Sequence, residues 1–302
     1  MDISVIIVNW NTKKLLEACL RSIVEKIGEI GKVGDFTYEV IIVDNGSEDG
    51  SQKMVKTKFP KVRLFENSQN LGFSKANNQG IKIAKGKYIF LLNSDTFFVE
   101  NTLQKLIEHA DKTENLGALG PMLLNEDKSI QQSVGFFPNL PQVFWWMSFI
   151  DDLPFGSILR PYHVDHDSFY RNDQKVDWIT GAAMFIPKSV IEKVGLLDEK
   201  IFMYGEDVDW CYRIKNAGFK IFYSPTTKLV HIGRGSAKKV SKNAILGEYK
   251  GLIYFYKKHK STLSLQVLKS LLKIGAIGRI LVFTLFGKRE TAQFYVEALK
   301  VD

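Results

Sequence analysis

The sequence predicts an α/β fold, with a mixed, mostly parallel sheet flanked by helices and a helical extension at its C-terminal end. Three observations predict it. Short apolar runs alternate with helically spaced segments through about residue 110, the pattern of a doubly wound sheet. Three of those runs end in polar clusters: Asn9-Trp10-Asn11, Asp44-Asn45-Gly46-Ser47 and Asn93-Ser94-Asp95. Ligands of such sheets bind beyond the carboxyl ends of the strands. Beyond Ser236 the chain turns apolar and basic, with thirteen Lys and Arg against four Asp and Glu.

The elements follow in order. Ser4 to Val8 is a short apolar run that reads as a buried parallel strand. Thr12 or Asn11 can cap the next segment, whose helical face is Leu15, Leu16, Cys19, Leu20, Ile23 and Val24. Glu39 to Val43 is a second strand, and Asp49 and Ser51 are candidate caps for a short helix. Val62 to Phe65 is a third strand, Ser74 to Ala84 a helix, Tyr88 to Leu92 a fourth strand and Asn101 to Ala110 a helix. Residues 111–175 lose regularity at Gly120-Pro121, Phe137-Pro138 and Leu140-Pro141. Within them, 144–149 is an aromatic cluster, either core or a lip touching an acceptor or a membrane interface. Asp165 to Asp173 reads as a flexible polar loop. Gly181 to Ile186 is a strand and Ser189 to Val194 a short helix. A helix opens near Gly205 and runs through Ala217, with Gly218 as its C-terminal stop. Lys220 to Tyr223 and Lys228 to His231 read as two short strands. Asn243 to Lys258 is helical, and Leu263 to Phe286 is an apolar helix carrying Lys269, Lys273 and Arg279 on one broad face.

Composition narrows the function. At 302 residues, 45% hydrophobic and 25% charged, the chain can bury a large core and is not a disordered type. Two cysteines, Cys19 and Cys211, cannot make a disulfide framework or a four-thiolate zinc site. The start lacks a basic signal-peptide region, and no run of roughly 18 uncharged apolar residues occurs. There is no GxGxxG after the first strand and no GxxxxGK[ST], so the usual dinucleotide and P-loop signatures are missing. The net charge of +8 belongs to the tail, since residues 1–235 carry 28 basic against 29 acidic groups. A basic amphipathic helix suits an anionic membrane surface. No recognised nucleic-acid module accompanies the charge, so nucleic acid is not an expected partner.

The polar residues suggest chemistry. A lone Asn-Asp-Gly-Ser cluster is usually only a turn. Three on one sheet edge make a site. Asp95 with Asn93 two residues earlier suits a hard divalent cation that also holds phosphate oxygens. Glu206, Asp207 and Asp209 could raise one another's pKa or supply a general base, or could simply begin a solvated helix. His231 matters only as a partner to Asp95. Arg234, flanked by glycines, could meet phosphate. Asp44 is placed to accept from a base or ribose. Together these describe group transfer from an activated nucleotide.

Six segments then resemble the family-two inverting glycosyltransferases of the GT-A fold, nearest in pattern to the bacterial rhamnosyltransferase-like enzymes of cell-surface polysaccharide synthesis. They are SVIIVNWNT (4–12), IIVDNGSEDGS (41–51), ENSQNLGFSKANNQGI (66–81), FLLNSDT (90–96), the run from ITGAAMF to KNAGFKI (179–221) and VHIGRGS (230–236). The resemblance implies a GT-A domain over 1–236, with a nucleotide-binding half (1–110) and an acceptor-binding half (111–236). Residues 237–302 would be a membrane-associating tail. It implies that Val8, Asn9 and Asn11 border the base, that Asp44 contacts the pyrimidine, and that Gly72, Phe73, Lys75 and Asn77 line the nucleotide. Asn93-Ser94-Asp95 takes the DxD position, with Asn93 in place of the first carboxylate. Asp95 and His231 would hold Mg²⁺ or Mn²⁺. Asp207 would be the base, with Trp178, Gly181 and Glu206 shaping the acceptor side. The donor it favours is dTDP-L-rhamnose, with UDP-sugars open. The acceptor would be a glycan or glycolipid, and the enzyme would be cytoplasmic, on the inner membrane face. Oligomeric state is not legible. A sugar nucleotidyltransferase, or a glycan-binding scaffold on the same fold, are the alternatives.

Overall fold

The structure is a computed structural model that describes residues 1–150, 159–233 and 241–301. The first half runs β1 (Ile3–Asn9), α1 (Lys13–Ile27), β2 (Gly31–Val33), β3 (Phe36–Asp44), α2 (Ser51–Lys58), β4 (Arg63–Glu66), α3 (Phe73–Ile83), β5 (Tyr88–Asn93), β6 (Thr96–Phe98) and α4 (Thr102–Asp111). Then come β7 (Leu116–Leu124), β8 (Val134–Gly135), α5 (Leu140–Met147), β9 (Gln174–Val176), β10 (Trp178–Ile179), β11 (Ala183–Pro187), α6 (Lys188–Val194), α7 (Glu206–Asn216) and β12 (Lys220–His231). Three helices close the chain: α8 (Lys242–His259), α9 (Thr262–Leu285) and α10 (Arg289–Ala298).

One mixed sheet has the order β2-β3-β1-β5-β11-β7-β12-β6, with β4 against β3 and β9 against β12. β1 runs parallel to both β3 and β5, and β11 turns antiparallel against β5. The central strands are apolar on both faces because both faces are covered. Ile3, Val5 and Ile7 join the core under α1, α2 and α4, while Ile6 joins the core under α3, α6, α7 and the C-terminal helices. Gly80 lets α3 lie close to β1, since a Cβ there would come within 2.5 Å of Ile6 Cγ2. Tyr249, Leu252 and Tyr256 of α8 share that second core with Trp210 of α7. The expected boundary at 236/237 falls outside the described residues.

Several expectations change. The two strands read at 220–223 and 228–231 are one strand, β12, whose register with β7 shifts between Ser224 and Lys228. Pro225 lies in the shift and has no N–H to give the ladder. Thr12 stands at the start of α1 but does not cap it; its hydroxyl donates to Asn9 Oδ1 at 2.6 Å. Asp49 does that work instead, accepting from the Lys13 N–H at 2.8 Å and from the Ser51 N–H at 3.0 Å. Residues 165–173 are anchored rather than loose, because Tyr170 is buried and its hydroxyl donates to the Val164 carbonyl at 2.8 Å. The aromatic cluster divides: Met147 packs in the core while Phe144 is exposed. The free cysteines are both buried.

The largest correction concerns α9. Arg279 is not on a basic outer face. It is buried, donating to the carbonyls of Met147 (2.8 Å) and Trp146 (2.6 Å), with its guanidinium over the Phe149 ring. The outer face is apolar instead: Leu263, Val267, Ile274, Ile277, Leu281 and Leu285 are all exposed at helical spacing. Among the described residues, no helix is long and apolar enough to cross a membrane.

Candidate functional site

The site stands where three strands end. The β1–β3 register sets Asn9 beside Asp44, and the β1–β5 register sets Val8 beside Asn93. The three polar clusters therefore share one sheet edge. Asp44 is buried there, accepting from Asn9 Nδ2 (2.8 Å), the Ser47 N–H (2.9 Å) and Gln52 Nε2 (2.7 Å). A carboxylate offers roughly four lone-pair sites, so one acceptor position is left over. Asn11 adopts a left-handed φ of 52°, which its short polar side chain tolerates. Its N–H donates to Ser47 Oγ, and its Oδ1 accepts from the Glu48 N–H. Trp10 between them is exposed.

Beside this edge α3 begins. Gly72 has φ 86°, and a Cβ there would sit 2.7 Å from the Phe202 ring. The next N–H, of Phe73, donates to the Phe202 carbonyl at 2.8 Å. The Phe73 ring faces Gly181, where a Cβ would meet it at 3.2 Å. Gly181 in turn leads to Asp207. Of the other expected nucleotide contacts, Lys75 is exposed on α3, and Asn77 is buried, donating to the Phe73 carbonyl of its own helix. Arg234 lies outside the described residues.

Antiparallel pairing of β12 with β6 sets His231 opposite Thr96 and so next to Asp95. His231 Nε2 lies 3.2 Å from both Asp95 Oδ1 and Asn93 Nδ2. Burial works to raise the Asp95 carboxyl, but the bond and charge of His231 outweigh it and hold the group below its ordinary range. Ser94 faces away from the pair, its hydroxyl 2.9 Å from that of Thr12. Among the described residues no three His, Cys, Asp or Glu side chains gather as a metal cluster. The pair still fits a divalent ion: one hard oxygen and one imidazole nitrogen suit Mn²⁺, and two protein ligands leave positions for phosphate oxygens. Gln131, in the irregular region after β7, was not legible as a site residue. Its Oε1 is 2.7 Å from His231 Nδ1.

The second half of the site is acidic. Tyr204 (φ 71°) and Gly205 (φ 90°) make a left-handed turn that launches α7 with Glu206 and Asp207. Asp207 Oδ2 accepts the Gly181 N–H at 3.2 Å, and Oδ1 accepts the Val208 N–H at 2.8 Å. Burial pushes the Asp207 carboxyl well above the aspartate range against those two bonds, and the charge of Glu248 adds to the rise. Glu206 is buried with an Oε2 that meets no donor. Burial, and then the charge of Asp207, raise its carboxyl further still. Asp209, grouped with them in the sequence, is engaged by other partners. It is buried and paired with Arg213 Nε (3.0 Å) and His259 Nε2 (2.7 Å).

Behind the pair stands a wall. Trp178 is buried, its indole N–H shared between the carbonyls of Tyr162 (3.0 Å) and Phe136 (3.2 Å). Glu248 of α8 accepts from the Tyr162 hydroxyl and lies 3.6 Å from His163 Nε2. Burial would raise Glu248, but these two partners hold its carboxyl down. Glu248 comes from the segment whose apolar pattern reads only as a tail.

Comparison with known proteins places this architecture. Solved structures that share its fold include two glycosyltransferase complexes. One is the mannosyltransferase PcManGT from Pyrobaculum calidifontis in complex with GDP-Man and Mn²⁺ (TM-score 0.59, 15% identity, 99% of this chain and 86% of that one). The other is GalNAc-T7 with UDP, GalNAc and Mn²⁺ (TM-score 0.60, 17% identity, 85% of this chain and 48% of that one). The fold class is therefore GT-A. Residues 4–169 match the family model for glycosyl transferase family 2, and the chain belongs to that family. Among curated relatives, it is 27% identical over 211 residues to the N-acetylglucosaminyl-diphospho-decaprenol L-rhamnosyltransferase of Mycobacterium tuberculosis (strain CDC 1551 / Oshkosh), covering 64% of this chain and 66% of that one. It is 26% identical over 225 residues to rhamnosyltransferase WbbL of Escherichia coli (strain K12), covering 64% and 82%.

Proposed function

We propose that the protein is an inverting glycosyltransferase that moves a sugar from a nucleoside-diphosphate donor to a hydroxyl of a growing, lipid-linked surface polysaccharide. The observation that carries the reading is Asp207: a half-buried carboxylate with a raised pKa, oriented by the Gly181 and Val208 N–H groups, across the Phe73 ring from the strand-end cluster. A raised carboxylate is the stronger base, and one base on one face is what inversion needs. In this reading Asp207 takes the acceptor's proton as its oxygen attacks the anomeric carbon. The nucleoside diphosphate leaves from the opposite face. Asp44, with its spare acceptor position, and Val8, Asn9 and Asn11 receive the base. Asp95 and His231 would hold a divalent cation, which offsets charge on the leaving diphosphate. Two of the relatives carry rhamnosyltransferase names, which supports dTDP-L-rhamnose as donor. The diphospho-decaprenol in one name supports a lipid-linked acceptor. For such an acceptor, the exposed apolar face of α9 suits a peripheral seat on the cytoplasmic membrane surface.

The test is transfer from dTDP-L-rhamnose by wild type and Asp207→Asn, with calorimetric binding of dTDP, UDP and GDP alongside. Loss of turnover with dTDP binding retained is expected. Normal turnover in Asp207→Asn removes the base assignment. A folded protein that binds none of the three nucleotides moves the reading to a glycan-binding scaffold.

A further inference from the structure

Helix α8 crosses directly behind the turn that launches Glu206 and Asp207. Gly247 and Gly251, four residues apart and so on one face, meet it. A Cβ on Gly247 would lie 2.2 Å from Tyr204 Cδ2. A Cβ on Gly251 would lie 2.8 Å from the Tyr204 carbonyl oxygen and 3.3 Å from Gly205 Cα. No side chain fits at either place without displacing Tyr204: at Gly247 its ring must move, and at Gly251 the backbone of the turn. The turn itself holds a bulky residue, Tyr204, at φ 71°. Such a conformation persists only where its surroundings over-determine it.

The rest of α8 tightens the same segment. Tyr254 Oη (2.8 Å) and Lys258 Nζ (2.7 Å) donate to Asp198 Oδ2, at the start of the approach to the turn. His259 Nε2 meets Asp209 Oδ1 at 2.7 Å, just past it. Beside Gly247, Glu248 enters the acidic pocket. The helix thus grips residues 198–209 before, at and after the turn.

We propose that α8 is the template of the base-bearing turn: Gly247 and Gly251 are positioning residues that set where Asp207 stands, so the C-terminal extension is a working part of the transfer site. This rests on the reading of Asp207 as the base. A displacement of about 1 Å in a reacting group can cost about 100-fold in rate. Gly251→Ala should therefore lower kcat by about tenfold or more, while the KM for the donor and the affinity for dTDP stay as in wild type. Gly278→Ala on α9, where a Cβ meets nothing within 4 Å, should change none of these.

A coupled pair guards against misfolding of Gly251→Ala. Tyr204→Gly removes the ring and suits the left-handed φ. The loss caused by Gly247→Ala should therefore shrink in the Tyr204→Gly background, both in kcat and in amide hydrogen exchange of residues 202–209. An equal Gly247→Ala effect with and without the Tyr204 ring overturns the proposal. So does a Gly251→Ala enzyme with wild-type kcat and exchange. A fully active Asp207→Asn enzyme gives a different result: it removes the base reading and leaves the exchange coupling standing.

Discussion

Gln131 fixes which nitrogen of His231 faces Asp95. The Gln131 Nε2 donates to the His231 carbonyl (3.0 Å) and to Asn125 Oδ1 (2.9 Å), and a carbonyl can only accept. Its Oε1 must then face His231 Nδ1, so Nδ1 carries the hydrogen and Nε2 points to Asp95 and Asn93. Metal-binding histidines are commonly held this way, and losing the outer partner typically costs about 10–100-fold in metal affinity. Gln131→Leu should weaken Mn²⁺ binding in the presence of dTDP by that order, as counted from free Mn²⁺ by electron paramagnetic resonance. Gln131→Glu keeps an acceptor for Nδ1–H but loses the two bonds donated by Nε2, so it should cost less affinity than Gln131→Leu. Equal affinity in wild type and Gln131→Leu would show that the ion is held elsewhere.

Asp44 should govern nucleotide binding. Three donors already meet its two oxygens, and Asp44→Asn replaces one of those oxygens with a donor. A buried donor left unpaired costs about 1–3 kcal/mol. Asp44→Asn is expected to lower the affinity for dTDP by tenfold or more and to lower the melting temperature. Unchanged dTDP affinity, measured by calorimetry, would take Asp44 out of the site.

The carboxylates set a pH dependence whose sign can be worked out. Burial first, then the charge of Glu248, raise Asp207, so the base is lost on acidification at a higher pH than an ordinary aspartate would give. Glu248→Gln removes that charge and should move the acid limb of kcat to lower pH. An acid limb that moves up, or stays, contradicts the arrangement.

Stability carries the matching signature. Glu206 is raised in the fold, to about 8, so the native state keeps a proton that the unfolded chain has lost. That contribution is full below the ordinary glutamate range and fades as pH rises toward 8. Glu206→Gln should flatten the fall in melting temperature across this window. A fall as steep as wild type would mean Glu206 is ionised in the native protein.

Much of this was legible in the sequence where local pattern and tertiary context agree. SVIIV and YIFLL are buried on both faces, so their apolar runs announce strands, and the polar residues after them fall on one edge because parallel strands share a direction. Asp95 and His231 meet because β6 and β12 pair. The rest depended on contacts that no local pattern encodes. Gln131 sits in an irregular stretch. Glu248 hides in a helix whose apolar residues read as packing. Gly247 and Gly251 carry no local signal, and only the contact with Tyr204 gives them a place. Arg279 looks like surface charge by spacing alone; only its contacts with the Met147 and Trp146 carbonyls turn it inward.

That inward turn changes what the C-terminal helices should do at a membrane. With Arg279 buried, the outer stripe of α9 is Leu263, Val267, Ile274, Ile277, Leu281 and Leu285, with Lys273 exposed beside it. Seating on lipid should then depend first on apolar insertion, where each fully buried side chain of this size contributes about 1.5–3 kcal/mol, and second on charge. The double substitution Ile277→Asp, Leu281→Asp should abolish cosedimentation with vesicles containing phosphatidylglycerol, without lowering the melting temperature. Lys273→Gln should weaken binding by about 1 kcal/mol or less and only at low salt. Arg279→Met should do the reverse, lowering the melting temperature by leaving the Met147 and Trp146 carbonyls without their donor, while vesicle binding of the folded fraction persists. Vesicle binding unaffected by the double aspartate variant would rule out this face as the lipid contact. A concentration-dependent dimer that the same variant dissolves would assign the stripe to a second copy of the chain.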